Sequence, residues 1–145
     1  MNESHHISYM MKMIADRAET RFQQLMGPIP VTAPQCRLLM YLDSRGGEPV
    51  SQRELEHYLG VSHTTVKGLL SRLEEKGYVR TAFDDAADAR VKHAYLTEKY
   101  HRSHADARTV IDRFEAEIVR GLSDEEQAVM KKLLSRIYRN LLPEN

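Results

Sequence analysis

Apolar residues recur at steps of three and four in six segments of the chain, which is the period of an amphipathic helix. The first segment runs from about residue 4 to residue 26 and stops at the Gly-Pro-Ile-Pro run of residues 27–30. The second ends near Ser44, the fifth extends from Thr97 to about Leu122, and the sixth follows Ser123. This pattern predicts a protein built mainly from helices.

Three of these predicted helices begin with the signature of a capping box, a serine or threonine followed three residues later by Glu or Gln. The pairs are Thr32 with Gln35, Ser51 with Glu54, and Ser123 with Glu126. Such pairs fix where a helix begins, because the two side chains satisfy backbone N–H groups that have no partner inside the helix.

The third and fourth predicted helices are closely joined. The third begins at Ser51, Gly60 provides a tight turn, and Ser62 caps the fourth, which ends at Gly77. The inner face of the fourth helix is predicted to consist of Val66, Leu69, Leu70 and Leu73. Two helices joined by a tight turn are the layout of a helix-turn-helix, whose second helix can enter the major groove of DNA.

Strand-like segments at residues 78–83 and 91–96 flank a polar run at 84–90 and predict a hairpin, the wing of a winged helix. The predicted order is α-α-α-α-β-β-α-α, so the fold class is mainly α (α+β). The first, fifth and sixth helices lie outside the central module, and their apolar stripes predict pairing with a second copy of the chain.

Composition limits the class of protein. The 145 residues suffice for a single domain, 1–145, and no apolar run approaches the roughly 18 residues of a membrane span. The N-terminal segment lacks a secretion signal and the single cysteine cannot form an intrachain disulfide, so we expect a soluble cytoplasmic protein with no membrane partner. The formal net charge of zero argues against a non-specific nucleic-acid coat protein but not against a sequence reader.

From about residue 31 to residue 99, the chain resembles the MarR/SlyA family of winged helix-turn-helix regulators. The matching pieces are Thr32-Ala-Pro-Gln35, Ser51-Gln-Arg-Glu-Leu55, Leu59-Gly-Val-Ser62, Thr65-Val66, Leu73-Glu-Glu-Lys-Gly77, Asp88-Ala-Arg90 and Leu96-Thr97-Glu-Lys99. The resemblance implies a homodimer that binds a palindromic operator, usually as a repressor, and is often released by a small ligand or an oxidant. Residues 31–99 would form the DNA-binding lobe, and residues 1–30 and 100–145 the dimerisation helices.

Residues expected to contact double-stranded DNA lie mainly on the polar face of the fourth helix. They are Ser62, His63, Thr64, Thr65, Lys67, Ser71 and Arg72 on that helix, Arg90, Lys92 and His93 on the wing, and Arg53 beside the phosphate backbone. Arg90 would pair with Asp88, insert near the minor groove, or do both. Glu56 stands where the family usually has a small residue between the two helices, so its side chain either tilts towards solvent or spaces the helices differently.

The resemblance also places an effector cavity between the dimer-forming helices and the DNA-binding lobe. The candidate lining residues are Ile14, Arg17, Met40, Tyr41 and Phe114. Cys36 is interpreted as a small core residue, and no cofactor is expected. His101 and His104 share a helix face at metal-ligand spacing, but without a cysteine cluster they are weak candidates and no metal site is predicted.

No enzyme motif is present: the chain has no nucleophile elbow, no phosphate-cradling glycine loop and no supported Cys-His pair. The leading hypothesis is a ligand-responsive transcriptional repressor. Two alternatives stay open, a winged-helix module that binds protein and not DNA, and a zinc-responsive regulator of the same fold.

Overall fold

The computed structural model describes residues 1–27, 29–83 and 90–143, with the side chains of residues 104–106 left out. Its elements are α1 (Ile7–Met26), α2 (Ala33–Ser44), β1 (Val50–Ser51), α3 (Gln52–Leu59), α4 (His63–Glu75), β2 (Val79–Phe83), β3 (Lys92–Leu96), α5 (Glu98–Ile118) and α6 (Asp124–Asn140). The mainly helical winged fold is confirmed. The predicted wing tip at residues 84–89, with its Asp88, lies outside the described residues.

One strand was missed by the prediction, which ended a loop at Pro49 and began a helix at Ser51. These two residues form β1, which pairs with β3 through Val50 with Ala94 and Ser51 with His93. The sheet has the order β1-β3-β2 and is antiparallel throughout. A two-residue strand has no periodicity of its own, so only the neighbouring strand reveals it.

All three predicted caps stand at the start of a helix, and two of them form the complete capping box. Complete capping boxes are present at Thr32 with Gln35 and at Ser123 with Glu126. Ser51 forms only half of one: its hydroxyl accepts from the Glu54 backbone N–H at 3.1 Å. The carboxylate of Glu54 instead accepts a 2.6 Å hydrogen bond from the Tyr41 hydroxyl and contacts the Arg45 guanidinium, so a tertiary contact replaces the local one.

Two glycines in left-handed conformation bracket α4. Gly60 has a φ of +65° and ends α3. Gly77 has a φ of +79°; its N–H donates to the Glu74 carbonyl at 2.9 Å, and the Tyr78 N–H donates to the Leu73 carbonyl at 3.0 Å. This pair of bonds is a Schellman motif, which satisfies the last carbonyls of the helix and turns the chain into β2.

The core is continuous from α1 to α5 and includes the predicted inner face of α4. The four residues of that face, Val66, Leu69, Leu70 and Leu73, are all buried. At the other end of the core, the rings of Phe22 and Phe114 meet edge to face with centroids 5.1 Å apart. Helix α6 differs from the others, because none of its residues is buried.

A bidentate ion pair joins α1 to α5 beside the two phenylalanines. Arg21 donates from Nε and from an Nη atom to the two carboxylate oxygens of Glu117, both at 2.8 Å. These hydrogen bonds lower the pKa of Glu117 to about 2, with Arg113 adding a weaker attraction. The same contact raises the pKa of Arg21.

We expect this ion pair to make the stability of the protein depend on pH in acid. Because the pKa of Glu117 is about 2 in the folded chain and ordinary in the unfolded one, its contribution is present above about pH 4.5. That contribution is lost as the pH falls from about 4.5 towards 2. Thermal unfolding should therefore show a Glu117→Gln deficit at neutral pH that shrinks towards pH 2.

Glu115→Gln is the matched control, because Glu115 is exposed two residues earlier on the same helix. It should leave the pH profile close to that of the unmodified protein. A Glu117→Gln deficit that is constant from pH 7 to pH 2 would contradict the assignment.

Candidate DNA interface

Helix α4 presents its N-terminal end through the cap at Ser62. The Ser62 hydroxyl accepts from the Thr65 backbone N–H at 3.2 Å and lies 2.9 Å from the Thr65 hydroxyl. Both side chains are exposed. A helix N-terminus favours a phosphate because its free N–H groups and its dipole point at the same place.

The outward face of α4 is polar along its whole length. Its exposed residues include Ser62, His63, Thr64, Thr65, Lys67, Ser71 and Arg72, while Gly68 is half-buried. The opposite face is closed by the core, so the structure brings all seven predicted residues of this helix to one solvent-facing surface. Hydroxyls, an imidazole and two cations are groups that bind phosphates and base edges.

The predicted wing residues separate into two groups. Arg90, just before β3, and Lys92, its first residue, are exposed, and so is Arg53 on α3. His93 was expected to reach DNA, and that expectation is wrong: it is the second residue of β3 and is only 7% exposed. His93 lies where the central strand β3 pairs with both β1 and β2, and its neighbour Ala94 is buried as well, whereas Lys92 lies at the end of the strand.

The corner between α3 and α4 is closed by a polar cluster of Gln52, Glu56 and His63. The Nδ1 atom of His63 lies 2.6 Å from Oε1 of Glu56. The amide nitrogen of Gln52 lies 3.2 Å from the backbone carbonyl oxygen of His63. Glu56 is therefore not turned freely into solvent; its side chain bridges the two helices.

The far end of α4 is tied to α2 and α5. Lys76 donates from Nζ to the Gln35 side chain at 2.8 Å, and Gln35 is itself buried beside the start of α2. Lys99 donates to the Lys76 carbonyl at 2.6 Å, and the Thr97 hydroxyl donates to the Gly77 carbonyl at 2.5 Å. The end of α4 is thus hydrogen-bonded to both α2 and the start of α5.

The five candidate effector residues occupy three different places in the single chain. Met40 lines a cavity of about 210 Å³ between α2 and α5. Ile14, Arg17 and Phe114 line a wider recess of about 450 Å³ between α1 and α5. Tyr41 instead stacks on Tyr58, with ring centroids 3.9 Å apart.

The α2–α5 cavity has an apolar floor and a charged rim. Its lining includes Leu39, Ile111, Asp43, Arg108 and Asp112, together with two buried ionisable groups, Cys36 and Tyr100. Burial raises the pKa of the Cys36 thiol to about 11 and, with Asp43 adding to the shift, that of the Tyr100 phenol to about 12. Both groups therefore keep their protons at neutral pH.

No three histidine, cysteine or carboxylate side chains come together as a metal site in the part of the chain that the structure describes. His101 packs its ring against Tyr100, with centroids 5.5 Å apart, while the side chain of His104 lies outside the described residues. Within the same described ranges, none of the helices combines the length and the hydropathy that a bilayer span requires.

The structure has a helix-turn-helix, α3 and α4, followed by the strand hairpin of β2 and β3, and the polar face of α4 is exposed. These features define a winged-helix protein of the class that binds DNA. The sequence model of the MarR family matches residues 29–90. This match and the likenesses described next support a winged-helix transcriptional regulator of the MarR type.

Relatives extend the likeness to nearly the whole chain. An uncharacterised helix-turn-helix transcriptional regulator of Bacillus subtilis, YwoH, is 28% identical over 138 residues, covering 95% of this chain and 92% of that protein. MepR of S. aureus in complex with DNA superposes with a TM-score of 0.86 at 25% identity, covering 97% of this chain and 100% of that one. BpsR of Bordetella bronchiseptica, whose DNA binding is regulated by 6-hydroxynicotinic acid, gives a TM-score of 0.81 at 20% identity, covering 95% and 96%.

We expect Cys36 to be inert towards alkylation in the native protein. The side chain is 1% exposed, and the rise of its pKa from 9.0 to about 11 lowers the thiolate fraction at pH 8 by roughly a hundredfold. Iodoacetamide labelling followed by mass spectrometry should show almost no adduct on the folded chain. The same reagent should label the chain rapidly in guanidinium chloride, and rapid labelling without denaturant would contradict the buried assignment.

Proposed function

We propose that the protein is a cytoplasmic repressor that binds a palindromic operator as a homodimer and leaves it when a small molecule binds. The observation that carries this proposal is the exposed polar face of α4, held by a buried apolar face on the other side. A helix fixed in this way presents a constant set of side chains to the major groove.

The contacts divide by position along α4. Ser62, Thr64 and Thr65 stand in the first turn, where side chains of such a helix reach base edges and backbone N–H groups reach phosphates. Lys67, Ser71 and Arg72 lie one to two turns further on and suit purine or phosphate contacts. Arg53 on α3 flanks the phosphate backbone. Arg90 and Lys92 extend the positive surface to the wing, where a narrow minor groove attracts arginine.

Two copies are needed for useful affinity. The formal net charge is zero, with 21 basic and 21 acidic residues, so each subunit offers only a local positive surface. Phosphate contacts supply much of the affinity for DNA, and two subunits double their number. A two-fold dimer places its recognition helices about one DNA turn apart, roughly 34 Å, and so selects a palindrome.

Helix α6 supports the dimer because its apolar side is uncovered in the single chain. Val129, Leu133, Leu134 and Tyr138 are between 47% and 56% exposed, and Leu141 is 74% exposed. Helices in proteins owe most of their stability to the packing of such a face. A second copy, through residues 1–30 and 100–145, is the partner we propose for it, and residues 31–99 then form the DNA-binding lobe.

Effector release is assigned to the cavities beside α5. The α2–α5 cavity, which includes Met40, combines an apolar floor with hydrogen-bonding and charged groups, as small-molecule sites do. The recess formed by Ile14, Arg17 and Phe114 is the second candidate. A ligand that moves α2 or α5 would shift the Gln35–Lys76 hydrogen bond and with it the end of α4, and this is the differential contact that allosteric release requires.

Loss of either of two cations should weaken operator binding without unfolding the protein. Lys67→Ala removes a contact on α4 and Arg90→Ala one at the wing, so each should lower affinity about tenfold and reduce the salt dependence of binding by about one counterion. Gel-shift titrations at two salt concentrations, on DNA taken from upstream of the coding region, measure both effects.

Arg37→Ala is the matched control, because Arg37 is exposed on α2, belongs neither to the proposed DNA contacts nor to the proposed dimerisation segments, and pairs with Glu19. Undiminished binding by both test variants, with unchanged circular dichroism, would contradict the interface. Absence of binding to any duplex by the unmodified protein would favour the alternative of a winged-helix module that binds protein.

The subunit interface is tested by a charge on the apolar side of α6. Leu134→Asp should convert the dimer to a monomer in analytical ultracentrifugation, because an unpaired carboxylate is costly to bury. Ser135→Asp places the same charge one residue further along the exposed helix and should leave the dimer intact. A Leu134→Asp variant that stayed dimeric would place the interface elsewhere.

A further inference from the structure

The hydrogen bond between Glu56 and His63 joins the two helices of the helix-turn-helix at the entrance to α4. The two side chains differ sharply in exposure: that of His63 is 71% exposed and that of Glu56 only 23%. The imidazole therefore lies on the outer surface, with the carboxylate behind it at 2.6 Å. This arrangement presents His63 to the solvent side, where the other exposed residues of α4 lie.

The proton between the two side chains can be assigned from chemistry. An ionised carboxylate has only acceptor atoms, so an approach of 2.6 Å requires a hydrogen on Nδ1 of His63. The Gln52 amide nitrogen, 2.8 Å from Nδ1, then has no lone pair to donate to. It donates instead to the His63 carbonyl at 3.2 Å, with Oε1 of Glu56 a longer 3.5 Å away.

With Nδ1 committed to Glu56, Nε2 is the ring nitrogen that remains for another molecule. The Gln52 amide approaches it only at 3.3 Å, a long contact that an incoming group can replace. A neutral ring offers a lone pair at Nε2, which accepts from an exocyclic amine of adenine or cytosine. A protonated ring offers an N–H, which donates to guanine.

We propose that Glu56 is a positioning residue that orients His63, through Nδ1, so that Nε2 reads one base pair in each half-site. The inference deepens the proposed function of α4 and rests on it. Glu56 acts only through the imidazole and need not touch DNA. An exposed histidine that rotates freely would lose conformational entropy on binding and would discriminate less well between base pairs. A ring that is already held by Glu56 avoids this cost.

The charges around the ring fit this arrangement. Glu56 faces it from α3, and Lys67 stands one turn further along α4 on the same side of the helix. The imidazole covers the carboxylate from the solvent side, so the negative charge of Glu56 is kept behind the surface that phosphates would approach. A glutamate at this corner is thereby compatible with DNA.

The proton assignment is tested without DNA, by nitrogen-15 NMR of the histidine side chains at alkaline pH. His63→Ala identifies the signals of His63 by their disappearance. In the unmodified protein those signals should show a protonated Nδ1 and a bare Nε2. In Glu56→Ala they should move to the Nε2-protonated form that free neutral histidine favours. A protonated Nε2 in the unmodified protein would overturn the proposal.

The reading of bases is tested by affinity for an operator set in which each base pair is substituted in turn. His63→Ala should lose discrimination at one position of the half-site, by roughly five- to tenfold as for one hydrogen bond. Glu56→Ala should lose the same discrimination at the same position. The double variant should lose no more than either single one, since the two side chains act as a unit.

Two further variants separate positioning from charge and from general stability. Glu56→Gln keeps a carbonyl oxygen that accepts from Nδ1, and so should restore most of the discrimination. Glu75→Ala removes an exposed carboxylate at the other end of α4, and should change affinity equally for all sequences. Equal loss across all positions in Glu56→Ala, or no rescue by Glu56→Gln, would overturn the proposal.

The outcomes distinguish this inference from the proposed function. If Lys67→Ala weakens binding while His63→Ala and Glu56→Ala leave every base preference unchanged, α4 binds DNA and the inference fails. If the unmodified protein prefers no duplex over random competitor, the proposed function fails, and the NMR result alone reports whether Glu56 holds the ring.

Discussion

The burial of one face of α4 is the constraint on which the rest of the structure depends. Val66, Leu69, Leu70 and Leu73 are all enclosed by the core, and removal of any of the leucines would leave a cavity that costs about 2–5 kcal/mol. This packing fixes the rotation of the helix about its own axis. Because the period of a helix is set, the same rotation decides that Lys67, Ser71 and Arg72 face outward.

The ends of α4 are fixed as firmly as its sides. At the start of α4, Ser62 caps the helix, and Glu56 hydrogen-bonds to its first residue, His63. At the end, the left-handed Gly77 turns the chain into β2, and Lys76 bonds to the buried Gln35 of α2. Under the proposed function, an effector would therefore act by moving α2 or α5 and not by loosening one end of α4.

The sequence predicted the fold well wherever the signal is local. Caps at Thr32, Ser62 and Ser123 and a glycine stop at Gly77 mark helix ends by bonds between near neighbours in the chain, and they were placed correctly. The failures share one cause. Each depends on residues distant in sequence: the pairing of β1 with β3, the hydrogen bond of Glu54 with Tyr41, and the burial of His93.

The same distinction applies to the candidate site. The outward set on α4 could be predicted because it is the complement of an apolar stripe on a single helix. The bridge from Glu56 to His63 could not, since it depends on the angle at which α3 meets α4. Likewise, Met40 lies in a different cavity from Ile14, Arg17 and Phe114. This separation depends on how α1, α2 and α5 pack together, and the spacing of residues along the chain does not reveal it.

One contact links the two ends of the molecule directly. An ideal Cβ on Gly60 would lie 3.1 Å from the Tyr138 hydroxyl, so the last turns of α6 touch the corner between α3 and α4. Glycine is required at this corner for its left-handed backbone angle. In the proposed dimer, the contact of Tyr138 with Gly60 would couple α6 to the corner between α3 and α4. A tilt of one subunit against the other would then change the distance between the two copies of α4. The spacer between the two half-sites of an operator would have to match that distance.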